Sequence, residues 1–126
     1  MCGIAGFVEH KNRSQNVVLE EMIGTLRHRG PDNLGYYFWQ QDAYQIGLAH
    51  ARLSIMDVTS AGHQPMTFES YTITLNGEIY NYAEIRTTLT ALGHRFQSNS
   101  DTEVVLHAFA EWGTKCVDKF IGMFAF

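Results

Sequence analysis

Apolar and polar positions along the first fifty residues predict a short strand, a helix and then a pair of strands. The first strand is the apolar run Ile4–Val8, and a polar loop separates it from the helix. Apolar residues at helical spacing extend that helix from Asn16 to Arg29, before Gly30 and Pro31 end it. The two predicted strands that follow are Gly35–Trp39 and Tyr44–His50.

The remaining pattern predicts an irregular segment, further short strands and two more helices. Arg52–Pro65 carries few regular signals, which is typical of a binding loop. Ser100 and Glu103 have the spacing of a capping box at the start of the last helix, which runs to Trp112. The other predicted elements are strands over Tyr71–Leu75, Glu78–Tyr80, Phe96–Ser98 and Gly122–Phe126, a helix over Asn81–Leu92 and a helical turn near Val117.

Composition indicates one domain over residues 1–126, since 45% of the residues are hydrophobic and 17% are charged. The formal net charge is −4 without any basic run, so we expect neither nucleic acid nor a membrane as a partner. Two cysteines do not form a secreted disulfide scaffold, which places the protein in the cytoplasm. We expect no metal in this domain, because no histidine or acidic residue has metal-ligand spacing, and we assign Cys116 to the core.

The sequence stops inside the apolar segment Met123–Phe126 without a polar exit. Chain termini are usually exposed, so we expect a C-terminally truncated fragment that lacks later strands. Open sheet edges in such a fragment would favour weak stability or a homodimer.

Cys2 follows a single removable residue, Met1. Removal of Met1 would leave a thiol and a free α-amino group on one residue, and the amine could take the thiol proton. This combination is the chemistry of an N-terminal nucleophile. The alternative is an ordinary small cysteine that is buried as a hydrophobic residue.

The Asn76-Gly77 pair has two interpretations. It is a strong signal for a two-residue hairpin turn. It could also provide two hydrogen-bond donors, the Asn76 side-chain amide and the Gly77 backbone N–H, for an oxyanion.

Arg52, Asp101 and Glu78 are candidates for binding a charged ligand. Arg52 offers a bidentate fork to a carboxylate, and the alternative is a surface ion pair. Asp101 could accept hydrogen bonds from an ammonium group, with help from Glu78. The alternatives are a helix-start residue for Asp101 and a solvated strand residue for Glu78.

Six segments together resemble the class II glutamine amidotransferases, and in particular the glutaminase domain of glutamine-hydrolysing asparagine synthetases. They span the chain in the order found in that family. The segments are Met1–Gly6, His28–Asp32, Arg52–Asp57, Asn76–Asn81, Ser100–Glu103 and Gly122–Phe126.

The resemblance implies that Cys2, freed of Met1, attacks the side-chain amide carbon of glutamine. Asn76 and Gly77 would hold the developing oxyanion. Ammonia would leave, and water would hydrolyse the resulting γ-glutamyl thioester.

The resemblance also implies how glutamine is bound. Arg52 would bind the α-carboxylate, while Asp101 and the Glu78 region would bind the α-ammonium group. Backbone groups around Leu53 and Ile55 would line the pocket. The segment 28–32 is expected to be a loop near the site without assigned chemistry.

The fold implied by the resemblance is an α+β, Ntn-hydrolase-like αββα four-layer sandwich. A following synthetase domain would use ATP and Mg²⁺ to activate aspartate and receive the ammonia, whereas this domain would need no cofactor. Two alternatives remain: an amidotransferase with a different acceptor, such as a sugar or another carboxylate, and a non-catalytic glutamine-binding module. If Met1 is retained, the α-amino base is displaced.

Overall fold

The computed structural model describes residues 2–10, 16–53 and 62–126, which form a small mixed α/β domain. The strands are β1 (Gly3–His10), β2 (Asn33–Gln41), β3 (Tyr44–Arg52), β4 (Met66–Phe68), β5 (Tyr71–Ile73), β6 (Asn76–Ile79) and β7 (Gly122–Ala125). The helices are α1 (Asn16–Gly24), α2 (Tyr82–Ala91) and α3 (Asp101–Trp112), and a 3-10 helix follows over Gly113–Lys119.

Three strands form an antiparallel sheet in the order β1-β3-β2, with β3 in the centre. In this register Gly3 lies opposite Ala51 and Asn33 lies opposite Arg52. The sheet therefore places the start of β1 and the start of β2 on either side of the last residues of β3.

Helix α1 covers one face of this sheet and forms a small hydrophobic core with it. Short alanine side chains on β3 allow the helix to lie close to the strand. The fully buried residues of this contact are Leu19, Ile23, Ala49 and Ala51.

A second and larger core lies between β5–β6 and the helices α2 and α3. Leu75 and Ile79 contribute from the strand side, and Leu89 and Val105 contribute from the two helices. Cys116 is completely buried in this core, which confirms its expected place.

The strands β6 and β7 pair with each other in an antiparallel two-stranded sheet, and β4 pairs with β5 in another. Asn76 lies opposite Ala125, and Gly77 lies opposite Phe124. The hairpin-turn interpretation of Asn76-Gly77 is therefore wrong, because both residues belong to a strand.

Helix α1 is shorter than the sequence pattern predicts. It ends at Gly24, and residues 25–29 form turns instead of continuing to Arg29. Glycine disfavours the helix interior, and the N–H groups of Leu26 and Arg27 donate to carbonyls three residues earlier. The predicted helical position of Arg27–Arg29 is therefore wrong.

The predicted strand Phe96–Ser98 is also wrong, for a reason that lies in α3. The backbone N–H groups of Gln97 and Ser98 each donate to the Glu103 carboxylate, at 2.7 Å. A side chain thus occupies the donors that a neighbouring strand would otherwise bind. Strand β4 was not predicted, since three residues are too few to show a period.

The predicted capping box at the start of α3 is half confirmed. The Ser100 hydroxyl accepts a hydrogen bond from the Glu103 N–H at 3.2 Å, as expected for an N-cap. The reciprocal bond differs, since the Ser100 N–H donates to the Ser98 hydroxyl while Glu103 binds the preceding segment. Glu103 therefore fixes the loop before the helix as well as the helix itself.

Candidate active site

Cys2 lies immediately before β1, and its thiol contacts the backbone of Leu53, the residue after β3. The Leu53 N–H points to the Cys2 sulfur at 3.4 Å, and the same sulfur lies 3.7 Å from the Leu53 carbonyl oxygen. The pairing of β1 with β3 produces this contact by placing Gly3 opposite Ala51. The sulfur is thus next to the end of β3, where Arg52 lies.

The turn that follows α1 holds the ends of these two strands. The Arg29 side chain donates from Nε to the Cys2 carbonyl at 3.1 Å, and the Asp32 N–H donates to the Arg52 carbonyl at 3.0 Å. A Cβ atom at Gly30 would lie 2.1 Å from the carbonyl oxygen of Ala51, so a side chain cannot fit there. Residues 28–32 form the predicted loop, but sequence reasoning missed the contact of Arg29 with Cys2.

Arg52 and His50 share one face of β3, because side chains two residues apart point to the same side of a strand. Arg52 is 6% exposed, so it does not lie at the surface, where the alternative interpretation placed it. His50 is 1% exposed, and its Nε2 has no hydrogen-bond partner among the described residues. The alternation of β3 was the signal that could have identified His50 as a neighbour of Arg52.

Burial lowers the pKa of His50 to about 4. A hydrogen bond with the Leu75 backbone raises the pKa, and the positive charge of Arg52 lowers it. His50 is therefore a neutral imidazole at physiological pH. It connects the end of β3 with the residue that precedes Asn76.

Asn76 and Gly77 begin β6, directly after Leu75. Gly77 has φ +147°, a conformation that side chains disfavour, and a Cβ atom there would lie 2.2 Å from the carbonyl oxygen of Met123. Both the backbone conformation and the neighbouring strand therefore require glycine at this position.

Asp101 is the first residue of α3 and is 8% exposed. Its Oδ2 accepts a hydrogen bond from the Ile79 N–H at 3.0 Å, which links the helix to β6. Burial raises the pKa of Asp101, backbone hydrogen bonds lower it, and the charge of Glu78 raises it again. Glu78 is exposed, and its charge has the smallest of these effects on the pKa of Asp101.

Only some of the predicted site residues are brought into contact by these bonds. Hydrogen bonds join Cys2 to Leu53 and Asp101 to Ile79. Among the described residues, they do not join the thiol directly to Asn76 or Gly77. Residue 55, the predicted pocket residue Ile55, lies outside the described residues.

The described ranges 2–10, 16–53 and 62–126 contain no group of three histidine, cysteine or acidic side chains arranged to hold a metal ion. Within the same ranges, none of the helices is both long enough and apolar enough to cross a lipid bilayer.

A mixed α/β domain that begins with a cysteine thiol against the end of a strand, next to a buried arginine, is compatible with thiol chemistry on a substrate that carries a carboxylate. The chain belongs to the glutamine amidotransferase domain family, which matches residues 1–126. The relationship predicted from the six sequence segments is therefore confirmed.

Curated relatives refine this relationship. The chain is 40% identical over its whole length to asparagine synthetase [glutamine-hydrolyzing] 3 of Bacillus subtilis and covers 21% of that protein. It is 44% identical over its whole length to asparagine synthetase [glutamine-hydrolyzing] 2 of Oryza sativa, and again covers 21% of it. A putative asparagine synthetase of Methanocaldococcus jannaschii is 34% identical, with 27% of its length covered. The chain thus spans about a fifth to a quarter of these relatives.

Proposed function

We propose that this chain is the glutaminase domain of an asparagine synthetase-like enzyme and hydrolyses glutamine to glutamate and ammonia. The observation that carries the proposal is the Cys2 sulfur lying against the backbone of Leu53, one residue beyond the buried Arg52. This juxtaposition brings a nucleophile next to a cation that can bind an amino-acid carboxylate. Membership of the amidotransferase family supports the same chemistry.

The mechanism begins when Met1 is removed and the α-amino group of Cys2 is free. The amine takes the thiol proton, and the sulfur attacks the side-chain carbonyl carbon of glutamine. The Asn76 side chain and the Gly77 N–H stabilise the oxyanion of the tetrahedral intermediate. The carbon–nitrogen bond then breaks, the leaving nitrogen takes the proton, and ammonia departs.

The second half of the reaction releases glutamate. Water, with its proton taken by the α-amino group of Cys2, attacks the γ-glutamyl thioester. The same oxyanion donors act again, and the carbon–sulfur bond breaks to restore the thiol.

The charges around the site suit the two ends of an amino acid. Arg52 would bind the α-carboxylate of glutamine, and Asp101 with Glu78 would bind its α-ammonium group. The buried Asp101 carboxylate, with the charge of Glu78 in its surroundings, supports this assignment. Backbone groups of Leu53 and Ile55 would complete the pocket.

The same proposal includes the four-layer αββα sandwich and a domain that spans residues 1–126. Helix α1 packs on one face of the first sheet, and the other face carries His50, which contacts Leu75. The strands around Leu75 in turn pack against α2 and α3. This order of layers supports the sandwich.

In the complete protein, a synthetase domain with ATP and Mg²⁺ would receive the ammonia and amidate aspartate. The names of the relatives and their greater length support this partner and this acceptor. A sugar or another carboxylate is the alternative acceptor. We place the enzyme in the cytoplasm, where a catalytic thiol stays reduced, and an open edge of the first sheet would allow a homodimer.

The experiment compares two cysteine substitutions in the full-length protein. We expect Cys2→Ala to abolish the release of ammonia from glutamine and to prevent labelling by a glutamine-like chloroketone. Cys116→Ala serves as the matched control, because Cys116 is completely buried in the second core. This substitution should leave both the release of ammonia and the labelling of Cys2 in place. An intact mass of the protein used shows whether Met1 has been removed.

Ammonia release that persists in Cys2→Ala would contradict the proposed mechanism. Glutamine binding without any hydrolysis in the unsubstituted, correctly processed protein would instead identify a non-catalytic glutamine-binding module.

A further inference from the structure

Leu75 lies between β5 and β6, and side chains bind both of its backbone polar groups. Its N–H donates to Oε1 of Gln64 at 2.6 Å. Its other contact is a hydrogen bond with the His50 ring. Since the Leu75 N–H is already bound to Gln64 and Nε2 of His50 has no partner among the described residues, Nδ1 of the ring donates to the Leu75 carbonyl. Leu75 is buried, so its backbone groups depend on these two partners in place of water.

The two side chains that bind Leu75 are themselves buried and fixed. Gln64 donates from Nε2 to the hydroxyl oxygen of Thr102 at 3.0 Å, and both residues are buried. Thr74 adds a further bond, from its hydroxyl to the Ala49 carbonyl at 3.4 Å. The segment before β6 is therefore attached to β3 on one side and to the start of α3 on the other.

This attachment matters because the next two residues are Asn76 and Gly77. An oxyanion hole works only when its donors are already in place, and a displacement of a fraction of an ångström weakens it. A shift of the Leu75 peptide would move the donors of both residues together.

Resting on the proposed function, we infer that His50, Gln64 and Thr102 are positioning residues, which hold the Leu75 backbone so that Asn76 and Gly77 form the oxyanion hole. They act through Leu75 and need no contact with glutamine. Their loss should therefore reduce kcat for glutamine hydrolysis and leave KM nearly unchanged.

The first test uses a matched pair at Thr102 in the full-length protein. Thr102→Val keeps the shape of the side chain but removes the acceptor for Gln64, whereas Thr102→Ser keeps the acceptor. We expect kcat to fall about 10-fold or more in Thr102→Val, with KM within about twofold of the original value. Thr102→Ser should retain most of the original kcat.

The second test uses a matched pair at His50. His50→Leu removes the donor to Leu75, whereas His50→Asn retains an N–H donor close to the position of Nδ1. We expect kcat to fall in His50→Leu and to be partly restored in His50→Asn. Each kcat is expressed per active site titrated with a glutamine-like chloroketone, so that a loss of folded protein does not imitate the effect.

The results separate this inference from the proposed function. If Cys2→Ala leaves glutamine hydrolysis intact, the proposed function fails and the inference falls with it. If hydrolysis depends on Cys2 but Thr102→Val and Thr102→Ser have equal kcat, or if the variants raise KM alone, only the positioning role is wrong.

Discussion

Some positions at the strand ends accept only glycine, and Gly77 is the clearest example. Its φ of +147° and the closeness of the Met123 carbonyl are separate reasons for glycine. Gly93 also has a positive φ, +101°, but a Cβ atom there would meet nothing within 4 Å. A comparison of substitutions at Gly77 and Gly93 therefore separates the effect of backbone strain from the effect of steric overlap.

We expect Gly77→Ala to destabilise the protein more than Gly93→Ala. Backbone strain costs roughly 1–3 kcal/mol at either position, and Gly77→Ala adds an overlap with the backbone of β7. Urea unfolding of both variants checks the difference. Equal losses would mean that β7 moves away without cost.

Sequence reasoning offered two interpretations of Asn76-Gly77, a hairpin turn and a pair of oxyanion donors. The local pair Asn76-Gly77 is equally compatible with a turn and with a strand end. Pairing with β7 decided between them, because it places Asn76 opposite Ala125 instead of bending the chain.

The first turn of α3 holds the loop that precedes it through hydrogen bonds to Glu103. The Glu103 carboxylate accepts hydrogen bonds from Gln97, from Ser98 and from the Ser98 hydroxyl. It is 6% exposed, so these donors cannot turn to water if it is lost. The cap therefore couples the loop to Asp101, the first residue of the helix.

We expect Glu103→Gln to reduce the free energy of unfolding by roughly 1–3 kcal/mol, because an amide NH₂ group replaces one acceptor that faces N–H donors. Glu84→Gln is the matched control, as Glu84 is an exposed acidic residue in the first turn of α2 and its loss should cost under about 0.5 kcal/mol. Denaturant unfolding measures both. Similar values for the two variants would contradict a structural role of Glu103 in the loop.

At the scale of the whole molecule, His50 lies between the first sheet and the second core. Its side chain comes from β3 and reaches Leu75, which belongs to that core. The neutral ring fits this place, whereas a protonated ring beside Arg52 would be disfavoured by burial and by charge. We therefore expect protonation of His50 to weaken the contact between the two halves of the domain.

We expect the stability of the domain to fall as the pH decreases from about 6.5 towards 4. The pKa of His50 is lowered from 6.5 to about 4, so in this range the unfolded chain binds a proton that the folded chain does not. The loss from His50 amounts to at most about 3–4 kcal/mol. It is complete only below the folded pKa.

Urea unfolding of the original protein and of His50→Asn across this pH range measures the effect, and the variant should show a shallower loss. Burial also lowers the pKa of His107, so its protonation also reduces stability as the pH falls. Part of the pH dependence should therefore remain in His50→Asn. Asp101 acts in the opposite direction, because its raised pKa lets the folded state bind a proton first as the pH falls. An unchanged slope in His50→Asn would show that His50 is not the group responsible.

Local patterns in the sequence were enough to predict the cores of α2 and α3, the strands β1, β2 and β3, and the N-cap at Ser100. These features depend on residues a few positions apart, so their periodicity and capping signals are visible along the chain. The family membership was likewise predictable, because six short segments carry it. The premature end of α1 at Gly24 shows the limit of this reasoning, since an apolar period can continue past the helix itself.

Tertiary structure alone decided which distant residues meet. The contact of Cys2 with Leu53 follows from the register of β1 and β3, and the bonds of Leu75 join His50 and Gln64 to one peptide. Burial then made His50 neutral and placed Arg52 away from the surface. Such pairings leave no periodic signal along the chain, because they arise only when the sheet and the two cores pack together.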